Sequence, residues 1–371
     1  MSNPEAGNRL RLVLREGSLR PGDKLPGERE LAELVGMGRT ALRPLLEALE
    51  MQGIVERRPQ SGTFLLRIPP PGVHGSTIAL IAPFRGTGNK NSDNDAAWLH
   101  RVASAFEHNA APAGARVVLM DQSEHILDTC SISKLALEAV SEGANAAVLL
   151  HPFGSRAKIA HALALLHNRG VHPIVVSSRS YSGLASQVYF DSGWGAYLAT
   201  RYLIQKGHVN IGFAGAPAGH EWLQERLAGY ESALDASEIS VNRNLVFLPE
   251  HTERLAAYAD GVEAWHRWTA LPAAGRPTAM VAANDVVAMG LLQAAKEYGT
   301  EVPGTLSVIG FDNDPGALLA GLTTMERPTE ALGQAAAQVT LERIAAGQAG
   351  AAVTVRLRPV LIERQSVATL Q

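Results

Sequence analysis

The chain has 371 residues, a formal net charge of −3, 46% hydrophobic residues and 19% charged residues. This composition is typical of a globular chain with two or three domains, and the net charge argues against a general polyanion binder. The single cysteine, Cys130, excludes an internal disulfide framework and a cysteine-rich metal site. No secretion signal and no apolar run long enough to cross a bilayer is found, which predicts a cytoplasmic protein without membrane contact.

The charges are distributed unevenly along the chain. Residues 1–68 carry eleven Lys and Arg against nine Asp and Glu, whereas the remainder carries 22 against 27. A mildly basic head on an acidic body predicts that any nucleic-acid binding is confined to the head.

Two short helices and a hairpin are predicted within the first 66 residues, after an irregular start over residues 1–8 and a helix over Arg9–Glu16. Leucine and valine at helical spacing indicate one helix over Glu28–Val35 and a second from Arg39 to about Gln52, separated by a glycine-containing turn. Strands are predicted over residues 54–58 and 63–65, joined by a turn.

The second of the two helices carries Arg39, Thr40 and Arg43 opposite its leucines, close to its N-terminus. A helix of this kind, behind a short helix and a tight turn, has the geometry that enters a DNA major groove. The alternative is a small helical domain whose charged face is simply solvated, since helix-turn-helix patterns alone are weak.

The motifs in this stretch are LRPGDKLPGERELAEL at 19–34, GRTALR at 38–43 and GIVERRPQSGTFL at 53–65. Together they closely resemble the GntR family of winged-helix regulators. The resemblance implies DNA contacts through five residues. These are Arg29, Arg39, Thr40, Arg43 and, at the tip of the wing, Gly62.

Two positions depart from the family pattern. Gly38 stands where Ser or Thr is usual, which removes a helix-capping side chain. Pro44 lies inside the predicted recognition helix, where it removes one backbone hydrogen bond. We therefore expect a kinked helix or a helix that restarts at Pro44.

From Thr77 onward, apolar strands alternate with helices at about 30-residue spacing, which predicts doubly wound parallel sheets. The alternation runs through two successive halves, which indicates two similar α/β lobes with a cleft between them. The predicted domains are a winged helix-turn-helix head at 1–67, a proline-rich linker at 68–76 and a two-lobed domain at 77–368. Lobe 1 is assigned to about 77–191 plus 315–345, and lobe 2 to about 192–314 plus 346–368.

The two-lobed part carries a second set of motifs. They include FDSGWGAYLATRYLIQKGHVNIGFAG at 190–215, TAMVAANDVVAMGLLQAAKEYGTEVPGTLSVIGFDN at 278–313 and LTTMERPTEALGQAAAQ at 322–338. These resemble the LacI-type effector domain, which is itself similar to periplasmic sugar-binding proteins. A winged GntR head on such a body is similar to the arabinose-repressor arrangement.

In doubly wound lobes, ligands bind beyond the carboxyl ends of the strands. Polar residues follow three strands here, at Asn284-Asp285, at Asp312-Asn313 and at residues 177–179, which end in Arg179. Arg226 and Trp222 share a helix face, where a guanidinium and an aromatic ring suit a polyol. The resemblance implies that Arg226, Asn284 and Asp312 contact the effector.

Several of these residues have structural alternatives. Asp285 is suited to cap the following helix, Asp312 to a strand-end turn and Trp222 to ordinary packing. Arg327 is either a cleft residue, which would favour an acidic or phosphorylated effector, or part of a salt bridge at the hinge. The loop at 83–98 is expected to form the wall of lobe 1, and its candidates are Phe84, Asn91 and Trp98.

The sequence therefore predicts a transcription regulator, most simply a repressor, that is not an enzyme and needs no cofactor or metal. Its partners are a near-palindromic operator DNA, read by a homodimer, and a small effector, a sugar or sugar derivative. The alternatives are a sugar-binding or sugar-transforming α/β protein whose head does not bind DNA, and a transport-type solute-binding protein. No nucleophile elbow, zinc-protease motif or complete nucleotide-binding loop supports catalysis.

Overall fold

A computed structural model describes the chain in twelve ranges. They are residues 4–16, 19–51, 53–59, 61–69, 73, 75–84, 93–122, 131–181, 183–215, 221–249, 257–347 and 350–370. Asn91, predicted in the wall of lobe 1, lies outside the described residues.

Helices and strands alternate along most of the chain. The helices are α1 Pro4–Glu16, α2 Glu28–Val35, α3 Arg39–Met51, α4 Asp93–Ala110, α5 Ser131–Ser141, α6 Arg156–Asn168, α7 Ser192–Gln205, α8 Glu221–Asp235, α9 Ala257–Ala270, α10 Asp285–Glu297, α11 Pro315–Leu319 and α12 Thr329–Ala346. The strands are β1 Val55–Arg58, β2 Gly62–Leu65, β3 Thr77–Ala82, β4 Arg116–Asp121, β5 Ala146–Leu150, β6 His172–Val176, β7 Ser186–Phe190, β8 Ile211–Ala214, β9 Val246–Phe247, β10 Ala279–Ala282, β11 Ser307–Asp312, β12 Thr323–Glu326, β13 Thr354–Leu357 and β14 Val360–Ile362. None of the helices in the described ranges is long and apolar enough to cross a membrane.

The head consists of α1–α3 and the antiparallel β1–β2 hairpin, packed around one apolar cluster. The apolar positions predicted from helical spacing form this cluster, with Leu31, Leu42 and Leu46 almost fully buried. Gly36 ends α2 in the left-handed conformation, at φ 71°, which glycine adopts without a steric cost.

One prediction for the head is wrong, and one of the two alternatives for Pro44 is excluded. Helix α1 begins at Pro4 instead of Arg9, and proline is well suited to a first helical turn. Helix α3 continues through Pro44 without restarting. Pro44 and Thr40 are both exposed, so the backbone hydrogen bond that Pro44 removes is lost on the side of the helix that faces water.

The two-lobed domain contains two six-stranded sheets. The first has the order β13-β7-β6-β5-β3-β4 and the second the order β14-β12-β11-β10-β8-β9. Within the described residues, all pairings in these two sheets are parallel except that of β12 with β14. The predicted fold, two lobes built on parallel doubly wound sheets behind a winged helix-turn-helix head, is confirmed.

The predicted assignment of the C-terminal segments to the lobes is corrected by the strand pairing. Residues 315–345 were assigned to lobe 1, but β12 pairs with β11, with Ile309 opposite Thr323, and so belongs to the second sheet. Strand β13 pairs with β7 in the first sheet, although residues 346–368 were assigned to lobe 2. Strand pairing decides these places, and no local pattern in the sequence specifies which sheet edge a short terminal strand joins.

The chain therefore crosses between the lobes after β7, after β12 and between β13 and β14. Helix α12 returns to the first lobe and packs on α4. The approach is close at Gly333, where an added Cβ would lie 2.5 Å from the Val102 carbonyl oxygen.

The head contacts the two-lobed domain at the C-terminal end of α4. The buried Arg11 of α1 donates from Nη2 to the Pro112 carbonyl oxygen at 3.0 Å, and Arg67 donates to the Asn109 Oδ1 atom at 3.4 Å. The Val73 backbone N–H donates to the Ala113 carbonyl at 2.9 Å. Cations at a helix C-terminus interact favourably with its partial negative charge, which stabilises this contact.

Candidate DNA-binding surface and effector cleft

The start of α3 presents a polar, exposed surface on the head. Arg39, Thr40 and Arg43 are all exposed, as the helical spacing predicts, and the buried leucines lie on the other side of the helix. Arg43 forms an ion pair with Glu28 at 3.1 Å while 59% of its side chain remains exposed. Arg29 on α2 pairs with Glu33 at 3.3 Å and is 84% exposed.

Such exposed ion pairs contribute little to stability because water screens them and two flexible side chains must be ordered. The arginines can therefore exchange their glutamates for phosphate or base acceptors at small cost. The arrangement is chemically suited to contact the edge of a duplex groove.

The wing contributes a turn and a basic strand. Gly62 has φ +108°, and an added Cβ would lie 2.6 Å from the Lys24 Cε atom, so the turn requires glycine. On β1, the guanidinium of Arg58 lies 4.4 Å from the centre of the Phe64 ring. Arg58 is exposed and was not among the predicted contacts, although the run of two arginines in this strand was the signal that could have indicated it.

The cleft is centred on a buried ion pair between α8 and the end of β11. Arg226 donates from Nη2 to Asp312 Oδ1 at 3.1 Å, and the two side chains are 5% and 13% exposed. Arg226 also donates from Nη1 to the Ala283 carbonyl oxygen. Burial lowers the pKa of Arg226, and the Asp312 carboxylate opposes that shift.

Two aromatic rings contact the Arg226 guanidinium. Its central carbon lies 3.6 Å from the centre of the Phe311 ring and 4.8 Å from that of Trp222. Trp222 and Arg226 thus share one face of α8, as their spacing predicts. These contacts hold the guanidinium plane in place, so its orientation toward Asp312 is set before any ligand binds.

The backbone at Asp312 is itself unusual. Asp312 has φ +118° and Asn313 has φ 55°, in the region that side chains rarely adopt. Asn313 is held by a hydrogen bond to Glu326 at 2.8 Å and by one from Arg364 at 2.6 Å. Strained residues held by their surroundings are concentrated at ligand sites.

Arg327 lies on the second crossing between the lobes and extends toward the same carboxylate. Its Nε atom is 3.3 Å from Asp312 Oδ1, and its Nη2 atom is 4.0 Å from Asp314 Oδ1. Its guanidinium carbon lies 5.0 Å from the centre of the Trp98 ring on α4. The salt bridge predicted as one alternative for Arg327 is therefore present, and the alternative of a contact with the effector stays a prediction.

Asp285 and Asn284 have separate roles at the start of α10. Asn284 caps the helix by accepting from the Val287 N–H at 2.8 Å, so the capping role considered for Asp285 belongs to its neighbour. The fully buried Asp285 accepts from the Thr324 hydroxyl at 2.6 Å and from the Asp314 N–H at 2.8 Å. Burial, reinforced by the Asp312 carboxylate, raises the pKa of Asp285 to about 8.

Lobe 1 supplies a more apolar wall. Phe84 is buried at the end of β3, where its N–H donates to Asp121 at 3.0 Å. Trp98 is 5% exposed. Arg179 donates to the Gly154 carbonyl at 2.9 Å, and the buried Gln122 bonds both backbone groups of Phe153.

Sequence reasoning did not identify Gln122, Asp314 or Thr324 as members of this region. Asp314 lies two residues after Asp312, a predicted site residue, and this proximity in sequence was the available signal. The other two are placed only by packing between elements. Among the described residues, no group of three or more His, Cys, Asp or Glu side chains could hold a metal ion.

A winged helix-turn-helix head joined to a two-lobed α/β domain with a polar cluster between its lobes defines a class of bacterial transcription regulators. Comparison with family models agrees with this class. Residues 4–65 match the gntR family of bacterial regulatory proteins, and residues 200–367 match the periplasmic binding protein-like domain.

Relatives and solved structures extend the comparison. The HTH-type transcriptional repressor PurR of Proteus mirabilis is 30% identical over 303 residues, which cover 80% of this chain and 81% of that protein. The PurR of Salmonella paratyphi B is 36% identical over the same length and coverage. A ribose-bound LacI family regulator from Enterococcus faecium matches with a TM-score of 0.61 and 23% identity, covering 80% of this chain and all of that one.

The chain therefore belongs to the PurR/LacI family of transcriptional repressors, with a GntR-type head and a ligand-binding effector domain. These relatives are repressors and not enzymes, which confirms the prediction made from the missing catalytic motifs.

Proposed function

We propose that this chain is a cytoplasmic repressor in which two GntR-type heads of a homodimer bind a near-palindromic operator and a sugar or sugar derivative binds between the lobes. The buried Arg226–Asp312 pair, flanked by Trp222 and Arg327, is the observation that carries the proposal. A guanidinium and a carboxylate fixed side by side suit adjacent hydroxyls, and an aromatic ring suits the apolar face of a sugar.

A solved structure of another protein also supports a sugar as the effector. The Enterococcus faecium regulator, which shares this fold, holds ribose. The predicted effector contacts Arg226, Asp312, Asn284, Trp222, Arg179, Arg327 and Phe84 lie at strand ends, on α8 or at the hinge. Because Arg226, Asp312 and Arg327 are 5–13% exposed, a ligand enters only after the lobes have separated.

DNA binding is assigned to the head. Arg29, Arg39, Thr40 and Arg43 would contact the operator from α2 and α3, with Gly62 at the wing tip. Each head reads one half-site, and the dimer sets the spacing between half-sites.

Effector binding would reach the heads through α4. Trp98 lies in the N-terminal half of this helix beside Arg327. At the other end, Asn109 contacts Arg67, and Pro112, just beyond the helix, contacts Arg11 of the head. A lobe movement that displaces α4 would therefore change the position of the head. By linkage, the effector and the operator then alter each other's affinity by the same factor.

The DNA part of the proposal is tested by selection from a randomised duplex library, followed by gel-shift titration. The wild-type chain should enrich a near-palindromic sequence, and Arg43→Ala should weaken its binding at least tenfold. Arg116→Ala is the matched control, because Arg116 is similarly exposed and paired with Glu142 on lobe 1. Failure to enrich any sequence, or an unchanged affinity in Arg43→Ala, would refute DNA binding by this head and leave a sugar-binding protein with an inactive head.

The effector part is tested by a thermal-shift screen with a panel of sugars, sugar acids and sugar phosphates. A ligand at 100 times its Kd stabilises the folded state by about 2.7 kcal/mol. Trp222→Ala should lose the shift, whereas Tyr298→Ala, an exposed aromatic substitution on the outer side of lobe 2, should keep it. Equal shifts in both variants would place the site elsewhere.

A further inference from the structure

The Arg327 side chain has an unusual hydrogen-bonding state. It is 11% exposed, and its buried Nε has no hydrogen-bond partner in the described part of the chain. Its Nε lies at ion-pair distance from Asp312, and its Nη2 lies 4.0 Å from Asp314 Oδ1. A guanidinium carries five N–H donors, and at least the Nε–H of Arg327 is left for a ligand to engage.

Two further buried donors near Arg327 also lack partners within the described ranges. They are the indole Nε1 of Trp98 and the Nε of Arg226. Several acceptors close to them are already engaged. Asp312 Oδ1 is shared by both arginines, the Ala283 carbonyl accepts from Arg226, and Asp285 accepts from Thr324 and Asp314. Buried donors that lack a partner are costly, and a ligand that supplies acceptors would satisfy them.

The type of acceptor follows from the chemistry of the guanidinium. A hydroxyl accepts one hydrogen bond but also brings a donor of its own, whereas a carboxylate or a phosphate only accepts. Two oxygens of such an anion match the parallel N–H groups of an arginine. The Trp98 ring, whose centre lies 5.0 Å from the guanidinium carbon, restricts the positions that the Arg327 side chain can take.

The surrounding charges permit an anion here. Two guanidinium groups face Asp312 and Asp314, and the third carboxyl, Asp285, is mostly protonated at neutral pH because burial raises its pKa to about 8. Asp314 is the group that opposes an anion. It lies 4.0 Å from Nη2, beyond hydrogen-bond distance, so it leaves the edge of the guanidinium available.

We infer that Arg327 and Trp98 form a subsite that recognises a carboxylate or phosphate group of the effector. The inference rests on the proposed function, since it specifies the class of ligand bound in the same cleft. Trp98 belongs to α4 of lobe 1 and Arg327 to the crossing after β12 of lobe 2, so an anion bound there contacts both sides of the hinge.

The first experiment uses inorganic phosphate, so that it does not depend on the identity of the effector. Thermal unfolding of the full chain is followed in phosphate and in chloride at equal ionic strength and pH. Phosphate stabilises folded proteins in general, so it should raise the Tm of both proteins above the value in chloride, but it should raise that of the wild type more than that of Arg327→Gln. An equal rise in the wild type and in Arg327→Gln would overturn the inference.

The second experiment uses matched ligands, namely a neutral sugar, its phosphate monoester and its uronic acid. The wild type should bind at least one charged member ten times more tightly than the neutral parent, and Arg327→Gln should remove that advantage. The phosphate and carboxylate arms show which anion is recognised. Arg267→Gln is the control, because Arg267 also lies over an aromatic ring, Phe247, but outside the cleft.

The results separate this inference from the function on which it rests. Tighter binding of the neutral parent, with no effect of Arg327→Gln, would refute the anion subsite and keep the sugar-responsive regulator. If the wild type selects no operator sequence, the proposed function as a DNA-binding regulator is refuted, whether or not the anion binds.

Discussion

The arginines of the head and those of the cleft are the same residue type in opposite environments. Arg43 and Arg29 are 59% and 84% exposed and pair with glutamates at the surface. Arg226 and Arg327 are 5% and 11% exposed and share one carboxylate, that of Asp312. The first pair keeps most of its hydration, and the second pair has lost nearly all of it.

This difference determines what each pair can do. An exposed guanidinium exchanges one anion for another at little cost, which suits binding to a long polyanion. A buried guanidinium is committed to its partner, because an unpaired buried charge is strongly destabilising. The cleft arginines are therefore part of the folded structure as well as candidate ligand contacts, whereas the head arginines are available for DNA only.

Removal of the shared carboxylate should have the largest effect on stability. In Asp312→Ala, two buried guanidinium groups lose their common partner, and we expect the free energy of unfolding to fall by about 3–5 kcal/mol. The measurement is denaturant unfolding followed by circular dichroism. Asp235→Ala, at the end of α8, is a suitable carboxylate control because Asp235 is exposed. A midpoint equal to that of the wild type would show that Asp312 is not the required counter-charge.

Arg11 offers a second test of the contrast between buried and exposed arginines, because it is a buried arginine within the head. Arg11→Ala removes its hydrogen bond to the Pro112 carbonyl, and we expect a loss of about 1.5–3 kcal/mol. The variant should also weaken the effect of the effector on operator affinity, measured by gel shift with and without ligand. Arg20→Ala, an exposed head substitution, should change neither quantity. Intact coupling in Arg11→Ala would exclude this contact as the route to the head.

The third prediction concerns pH and the protonated acid of the cleft cluster. The folded-state pKa of Asp285, about 8, lies above its unfolded value near 3.8, so its contribution to stability is present at low pH and is lost as pH rises toward and through 8. Between pH 7 and 9 we expect a loss of about 1 kcal/mol for this one group.

Asp285→Asn removes this titration, and the difference between the two unfolding curves isolates it from other groups. The stability of the variant should change less between pH 7 and 9 than that of the wild type. Identical pH slopes would mean that Asp285 is already ionised in the folded protein at pH 7.

The smallest change in stability is expected for the head arginine. Arg43→Ala should shift the free energy of unfolding by less than about 0.5 kcal/mol, because its ion pair with Glu28 is exposed. The same variant should lose operator affinity at least tenfold. A large loss of stability would show that Arg43 has a structural role, and the gel-shift result could then not be assigned to DNA contact alone.

Much of the fold could be predicted from local patterns. The helical spacing of leucines defined α2 with the bounds later observed, and the alternation of apolar strands with helices predicted the parallel doubly wound sheets. These elements are specified by hydrophobic periodicity and by glycine and proline at their ends, which act over short stretches of chain. The lobes assigned to β12 and β13 were wrong, because sheet membership depends on pairing between strands distant in sequence.

The candidate cleft, too, was predictable only where it depends on local patterns. Arg226, Asp312 and Trp222 followed from strand ends, helix spacing and family resemblance. The sharing of Asp312 by Arg226 and Arg327, and the stacking of Arg327 on Trp98, join segments that lie far apart in the chain. No local pattern reports such contacts.

By itself, the sequence determined that this is a winged head on two α/β lobes, because residue spacing and turn chemistry are read locally along the chain. Only the tertiary structure decided which arginines are desolvated, which acid remains protonated and which helix contacts both the cleft and the head. Those properties arise from burial and from distances between remote segments, and they exist only once the lobes and the head have packed together.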